Sequence, residues 1–266
     1  PQAGRGSRGK PIVNLLPLDE GERITAVLPI REYEEDRFVF MATAAGTVKK
    51  TPLAAFSRPR AAGIIAVGLD PGDKLVGVAI TDGSQDVMLC SSGGKAIRFR
   101  EDDVRAMGRT AAGVRGIRLP EDEDVISLII PDPDGLVLTA SENGFGKLTP
   151  VGEFPVQGRS GQGVIAMQTS ERNGRLVAAI QVATTDELML MSSNGTLVRT
   201  RAGEISVLGR NTQGVRLIRL DDGERLIGVD AVEPENGEDE GTVEVAGAMG
   251  VEDGQGIHPD VESGLS

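Results

Sequence analysis

Apolar residues along this chain come in short runs, such as Phe38-Val-Phe-Met-Ala42, Val87-Met-Leu-Cys90 and Leu188-Met-Leu-Met191, and glycine-bearing turns follow the runs. The runs are mostly Val, Ile, Leu and Ala, which predicts many short strands joined by tight turns. The pattern is periodic. Gly63-IIAVGLDPGDKLVGVAITDGSQDVMLCSSGGKAIRF aligns with the segments that begin at Gly113 and Gly163, in part with the one at Gly214, and with an earlier copy from Gly9, so the lead glycines are 54, 50, 50 and 51 residues apart. A second glycine, at Gly46, Gly94, Gly144 and Gly195, recurs at intervals of 48, 50 and 51 in turns such as Ala-Ala-Gly and Asn-Gly. Such turns need positive φ and close β-hairpins.

Each full copy then reads as four strands, in the second copy Ile64–Leu69, Leu75–Thr81, Asp86–Ser91 and Lys95–Arg100. A repeated four-stranded unit of this length predicts an all-β, propeller-like array; a β-sandwich with coincidental spacing is the competing reading. Blades are expected near 9–55, 63–104, 113–154 and 163–205, with a partial blade at 214–232. The last copy supplies only two strands, so the expected ring falls short, and the tail or another part of a longer chain must cover the open sheet edge.

Composition agrees, with 36 glycines and 3% aromatic residues. The lone Cys90 allows no disulfide within the chain and suits a reducing cytoplasm, where it reads as a small core side chain. No run reaches the ~18 apolar residues of a membrane span, so no membrane partner is expected. The net charge of -12 argues against nucleic acid until its distribution is seen. Residues 233–266 hold ten acidic residues and no Lys or Arg, leaving 30 acidic against 28 basic residues in 1–232. That tail is expected to be disordered. It reads either as a solubility aid or as a competitor of DNA for the basic surface.

Positive charge recurs in two places. Arg5, Arg60, Arg109, Arg159 and Arg210 each stand three or four residues before a lead glycine, and Gly108-Arg109-Thr, Gly158-Arg159-Ser and Gly209-Arg210-Asn are nearly one loop three times. Lys49, Lys50, Lys95, Arg98, Lys147, Arg199 and Arg201 follow the hairpin glycine on the last strand, and Arg58 and Arg105 extend the connections. Both sets are expected on the rim. A periodic basic rim suits phosphate tracking, since affinity follows local neutralisation rather than net charge. Repeated contacts would bend a duplex around it, as regularly spaced arginines do in the nucleosome. Cations on outer strands also guard against edge-to-edge aggregation, but a glycine-flanked arginine in a connection protects no edge. The N-terminal Gly4-Arg5-Gly6-Ser7-Arg8-Gly9-Lys10 reads as a flexible phosphate clamp or as the frayed start of a blade.

Nothing converges on catalysis. The sole histidine, His258, is in the tail, and the carboxylates of Asp70, Asp73, Glu121–Asp124 and Asp221–Glu224 occupy turns. No cofactor or metal is called for. A protein-interaction propeller is the stronger rival, although Trp is absent and such a ring gives the basic rim no purpose.

Arg8-GKPIVNLLPLDEGERITAVLPI, Phe40-MATAAGTVKKT, Val104-RAMGRTAAGVRGIRL and Glu204-ISVLGRNTQGVRLIRL resemble, in order and spacing, the C-terminal domain of DNA gyrase A across roughly Gly4 to Val232. The resemblance implies a β-pinwheel whose neighbouring blades exchange strands. It implies a rim that wraps double-stranded DNA without sequence preference, and partners in the remainder of gyrase A and in gyrase B, the ATP-hydrolysing component. The related domain of topoisomerase IV is the alternative. The family's Gln-Arg-Arg-Gly-Gly-Lys-Gly box is not found, which places the start of the chain inside the first blade. DNA cleavage in this family uses a tyrosine from another region. Tyr33, the one tyrosine here, is flanked by carboxylates that would repel phosphate.

Overall fold

The computed structural model describes residues 18, 22, 24–60 and 63–232, all within one compact unit. Fifteen strands and four 3-10 turns make up its regular structure among these residues. Four hairpins recur along the chain. β1 (Phe38–Thr43) and β2 (Thr47–Pro52) form the first hairpin. After β3 (Leu75–Thr81) come β4 (Asp86–Ser91) and β5 (Lys95–Arg100). The two-residue β6 (Val114–Arg115) and β7 (Val125–Ile129) precede the hairpin β8 (Leu136–Ser141) and β9 (Phe145–Pro150). β10 (Val164–Ile165) and β11 (Leu176–Val182) precede β12 (Glu187–Ser192) and β13 (Leu197–Arg201), and β14 (Val215–Arg216) and β15 (Leu226–Val232) follow.

The expected four-in-a-row copy is redistributed. The sheet orders are β3-β1-β2-β6, β7-β4-β5-β10, β11-β8-β9-β14 and β15-β12-β13, and neighbouring strands pair antiparallel. Each complete sheet therefore takes its hairpin from one repeat, an inner strand from the next, and a short outer strand from the one after. This is the strand exchange that the resemblance implies. Successive sheets meet through β3, β7, β11 and β15, each against the next. After each of the hairpins β4–β5, β8–β9 and β12–β13, the chain turns through a 3-10 turn. It then returns along the outer edge of the preceding sheet before supplying its own sheet's inner strand.

Two hydrogen-bond motifs and one steric fit lay down these return segments. The carbonyls of three hairpin glycines each accept two successive amides: Gly116 and Ile117 on Gly46, Ala166 and Met167 on Gly94, Leu217 and Ile218 on Gly144, at 2.8 to 3.3 Å. Farther along, the amides of Met107, Gln157 and Leu208 bond the carbonyls of Lys50, Arg98 and Leu148 at 2.7 to 2.8 Å. The lead glycines sit where the segment presses on the hairpin. Gly113, Gly163 and Gly214 have φ of 113, 72 and 75°, and an added Cβ would lie 2.6, 2.3 and 2.7 Å from the carbonyl oxygens of Val48, Ala96 and Gly146. Only glycine meets both demands, which explains the period seen in the sequence.

The core lies between sheets. Phe40, Val48, Leu89, Ile97, Phe99 and Val125 bury one cluster across the first two sheets, and Met88, Cys90, Val137, Phe154 and Ala179 bury the next. Cys90 is fully buried, and burial pushes its thiol up to about 12, so it is unreactive packing. Glu101 is also fully buried. It accepts bonds from Thr81 Oγ1 at 2.6 Å and the Gly83 amide at 3.0 Å, and pairs with Lys50 at 3.8 Å, so the second sheet's 3-10 turn is tied to the first sheet.

One predicted strand is missing. Ile64–Leu69 is extended but unpaired, with Ile65 64% and Leu69 45% exposed. Its sequence is a return segment, yet no described hairpin lies beside it to receive it. The same logic in reverse applies to β13, which no described return segment covers. Leu197 there is 56% exposed, where its counterparts Val48 and Ala96 are buried.

Candidate nucleic-acid interface

The two sets of basic residues fare differently. The inter-blade arginines Arg109, Arg159 and Arg210 are part-exposed, one on each return segment. Each guanidinium donates through Nη1 to the carbonyl two residues after the preceding lead glycine: Arg109 to Ile65 at 3.3 Å, Arg159 to Arg115 at 3.1 Å, Arg210 to Ile165 at 2.8 Å. The loops are thus linked in series, each to the return segment before it. A guanidinium carries five donors, so this link orients the side chain and leaves others free for an oxyanion.

The last-strand set departs from the expected display. Lys49 and Lys147 are buried at 1% and 0% exposure. Lys49 Nζ bonds the carbonyls of Ala66, at 2.7 Å, and Arg109. Lys147 Nζ bonds those of Gly209 and Arg210, each at 2.5 Å. Burial holds both ammonium groups below the usual lysine range, Lys147 at about 8, and the neighbouring arginine, Arg109 or Arg210, pushes the same way; Glu153 partly opposes it at Lys147. Lys50 is consumed by Glu101 and lies 5.1 Å from the Phe38 ring. Arg98 pairs with Asp86 at 2.7 Å and bonds the carbonyls of Val151 and Phe154, with its side chain 10% exposed. The physical reason is common to all four. Packed chain lies across the outer strand, so cations there face backbone carbonyls and, at Lys50 and Arg98, also a carboxylate instead of water.

The remainder are accessible. Arg58, Arg60, Arg105 and Arg201 are exposed, and Arg199 is exposed beside Glu187, its ion-pair partner. Lys95 is part-exposed and bonds Gln162 Oε1 at 3.4 Å. Arg5, Arg8, Lys10 and the acidic tail lie outside the described residues. Sequence reasoning missed Arg115 and Arg216, which are exposed on β6 and β14, the outermost strands. Arg216 also stands over the Phe145 ring at 5.5 Å. The shared Gly-Val-Arg of Gly113 and Gly214 was the signal that could have found them. Among the described residues, no group of three or more His, Cys, Asp or Glu is placed to hold a metal, and no helix is long and apolar enough to cross a membrane.

Comparison with known families matches the model described as DNA gyrase C-terminal domain, beta-propeller, over residues 1–31, 37–82, 85–132, 135–183 and 186–233. The chain belongs to the gyrase C-terminal-domain family. Relatives include the DNA gyrase A of Salmonella typhimurium, 57% identical over 264 residues, and that of Escherichia coli K12, 52% identical over 263. These alignments cover 99% and 98% of the chain, which spans 30% of the length of either relative. Among solved structures, a gyrase A C-terminal domain superposes with a TM-score of 0.75 at 26% identity, covering 85% of this chain and 75% of that one. The C-terminal domain of a DNA topoisomerase IV superposes with a TM-score of 0.79 at 28% identity, covering 85% and 71%. The backbone is therefore common to both kinds of domain, while these relatives at 52 to 57% identity are gyrases.

Proposed function

We propose that this chain binds duplex DNA without sequence preference and bends it along successive return segments, as the wrapping domain of gyrase A. One observation carries the reading: an arginine loop recurs once per return segment, part-exposed and with the same Nη1 bond to the preceding segment each time. Repetition gives a duplex regularly spaced phosphate contacts, and the summed contacts offset an elastic cost of order several kcal/mol. In this reading the partners are the rest of gyrase A and gyrase B in the bacterial cytoplasm. Their cleavage tyrosine and ATPase turn the wrapped segment into negative supercoils. Tyr33, at 39% exposure next to Glu32 and Glu34, takes no part in cleavage.

The test is DNA binding across a salt series, paired with ligation of a nicked circle in the presence of the chain. Affinity that falls steeply with salt, together with a positive linking difference in the closed circle, supports wrapping. Salt-dependent binding without a topological change reduces the role to holding DNA. No binding at low salt removes the DNA reading and favours an interaction propeller.

A further inference from the structure

We propose that the rim is graded: the loops at Arg109 and Arg210, each seated on a buried lysine, are phosphate anchors, and the intervening loop at Arg159 is a spacer. The inference rests on the DNA-binding reading above. Its starting point is one position on the outer hairpin strand, three residues after the hairpin glycine. That position holds Lys49, Ile97, Lys147 and Val198 in the four sheets. Ile97 is fully buried in a complete sheet, so the fold does not require an ammonium there. Burying one costs free energy that a lysine in water does not pay.

What the lysine adds is a loop with a defined polarity. Its ammonium draws in the carbonyl of Arg109, or those of Gly209 and Arg210. A trans peptide is planar, so the amide that follows each arginine, on the exposed Thr110 or Asn211, points away from the lysine. Two like charges also sit together there. No carboxylate comes within 4.0 Å of Lys49 or Lys147 among the described residues, although Glu153 accepts the Arg210 amide at 3.0 Å. An anion above the loop meets both an oriented guanidinium and an outward amide; it also relieves the repulsion between Lys49 and Arg109, whereas at Lys147 the attraction of Glu153 already outweighs the repulsion by Arg210.

The middle loop is built otherwise. Arg159 spends its donors inside the chain, with Nε on the Asp103 carbonyl at 2.9 Å and Nη1 on the Arg115 carbonyl at 3.1 Å and Ser160 Oγ at 3.2 Å. Ser160, at a φ of 70°, bonds the carbonyls of Gly116 and Arg115, and so fixes the loop without a lysine. Arg109 and Arg210 have one such bond each. They keep more donors for phosphate.

The experiment measures the affinity of the 266-residue chain for a short random-sequence duplex at low salt, with Arg109→Ala, Arg159→Ala, Arg210→Ala, Lys147→Ile and the double variant Lys147→Ile/Arg210→Ala. We expect Arg109→Ala and Arg210→Ala each to weaken binding roughly five- to tenfold, the loss of one or two charge-assisted contacts, and Arg159→Ala by less than about twofold. Lys147→Ile is expected to cost about as much as Arg210→Ala while the double variant binds no worse than Arg210→Ala alone, the signature of residues acting as a unit. Thermal unfolding of Lys147→Ile checks that the sheet survives, as Ile97 leads one to expect, and the three arginine variants stand as a test without it. Equal losses for the three arginines would overturn the grading, as would Lys147→Ile that folds and binds like the unaltered chain. Absence of salt-dependent binding by the unaltered chain strikes instead at the DNA reading on which the grading stands.

Discussion

Two kinds of residue carry opposite lessons about charge and space in this molecule. The lead glycines are steric. Gly163→Ala pushes a methyl group to 2.3 Å from the Ala96 carbonyl at a φ of 72°, whereas Gly223→Ala, at a φ of 80°, meets nothing within 4 Å. Both pay the left-handed penalty of roughly 1–2 kcal/mol, but Gly163→Ala must also move the return segment, so its destabilisation in urea should exceed that of Gly223→Ala by about 1–3 kcal/mol. Equal midpoints would show that the segment yields freely. Lys147 is electrostatic. Burial lowers it from the usual 10.5 to about 8, so between those values the unfolded chain binds more protons than the folded one. Its contribution to stability is therefore fully present above about 10.5 and is lost as the pH falls through about 8. The unaltered chain should gain stability relative to Lys147→Ile across that window, by at most about 1.4 kcal/mol per pH unit. A difference that stays flat from pH 7 to 10 would mean that Lys147 keeps its ordinary affinity for protons.

At the scale of elements, the sequence was legible where structure is local and opaque where it is not. Asp86–Ser91 and Lys95–Arg100 stand as read, because a glycine turn between two short runs specifies a hairpin from within; Leu75–Thr81 also stands as read, with β1 of the preceding repeat as its partner. Ile64–Leu69 does not, although its apolar pattern is as strong, because a strand exists only beside a partner and that partner comes from elsewhere in the chain. The same non-locality hid the fate of the cations. Lys49 and Arg109 are both periodic and both follow glycines, yet only contact between an outer strand and a segment sixty residues later buries one and leaves the other at the surface. Periodicity reports that a position matters; it does not report which face of a return segment it meets. β13 offers a direct check. Its amides should exchange with solvent markedly faster than those of β2, β5 and β9, which carry a strand on either side. Protection equal to theirs would reveal that another segment covers this edge.

For the whole molecule, the net charge of -12 is a poor guide, since ten of the acidic residues lie in 233–266 and the remaining 232 residues are close to neutral. Local arrangement decides instead. Salt dependence of binding counts the phosphates neutralised, and a rim with two anchors and a spacer should give a shallower slope than one in which every last-strand lysine also reached DNA. The stacked sheets supply the regular spacing; the tying of each loop to its predecessor keeps it.

The exchange of strands also sets an order in time. The hairpins ending at Pro52, Arg100 and Pro150 wait for outer strands that begin at Val114, Val164 and Val215, between 62 and 65 residues later. On a ribosome making about 5–20 residues per second, each hairpin stands several seconds with one flank bare. The uncovered β13 is thus a picture of what every sheet looks like during synthesis. Charged residues on such a strand, here Arg199 and Arg201, disfavour pairing with a wrong neighbour while its flank is bare.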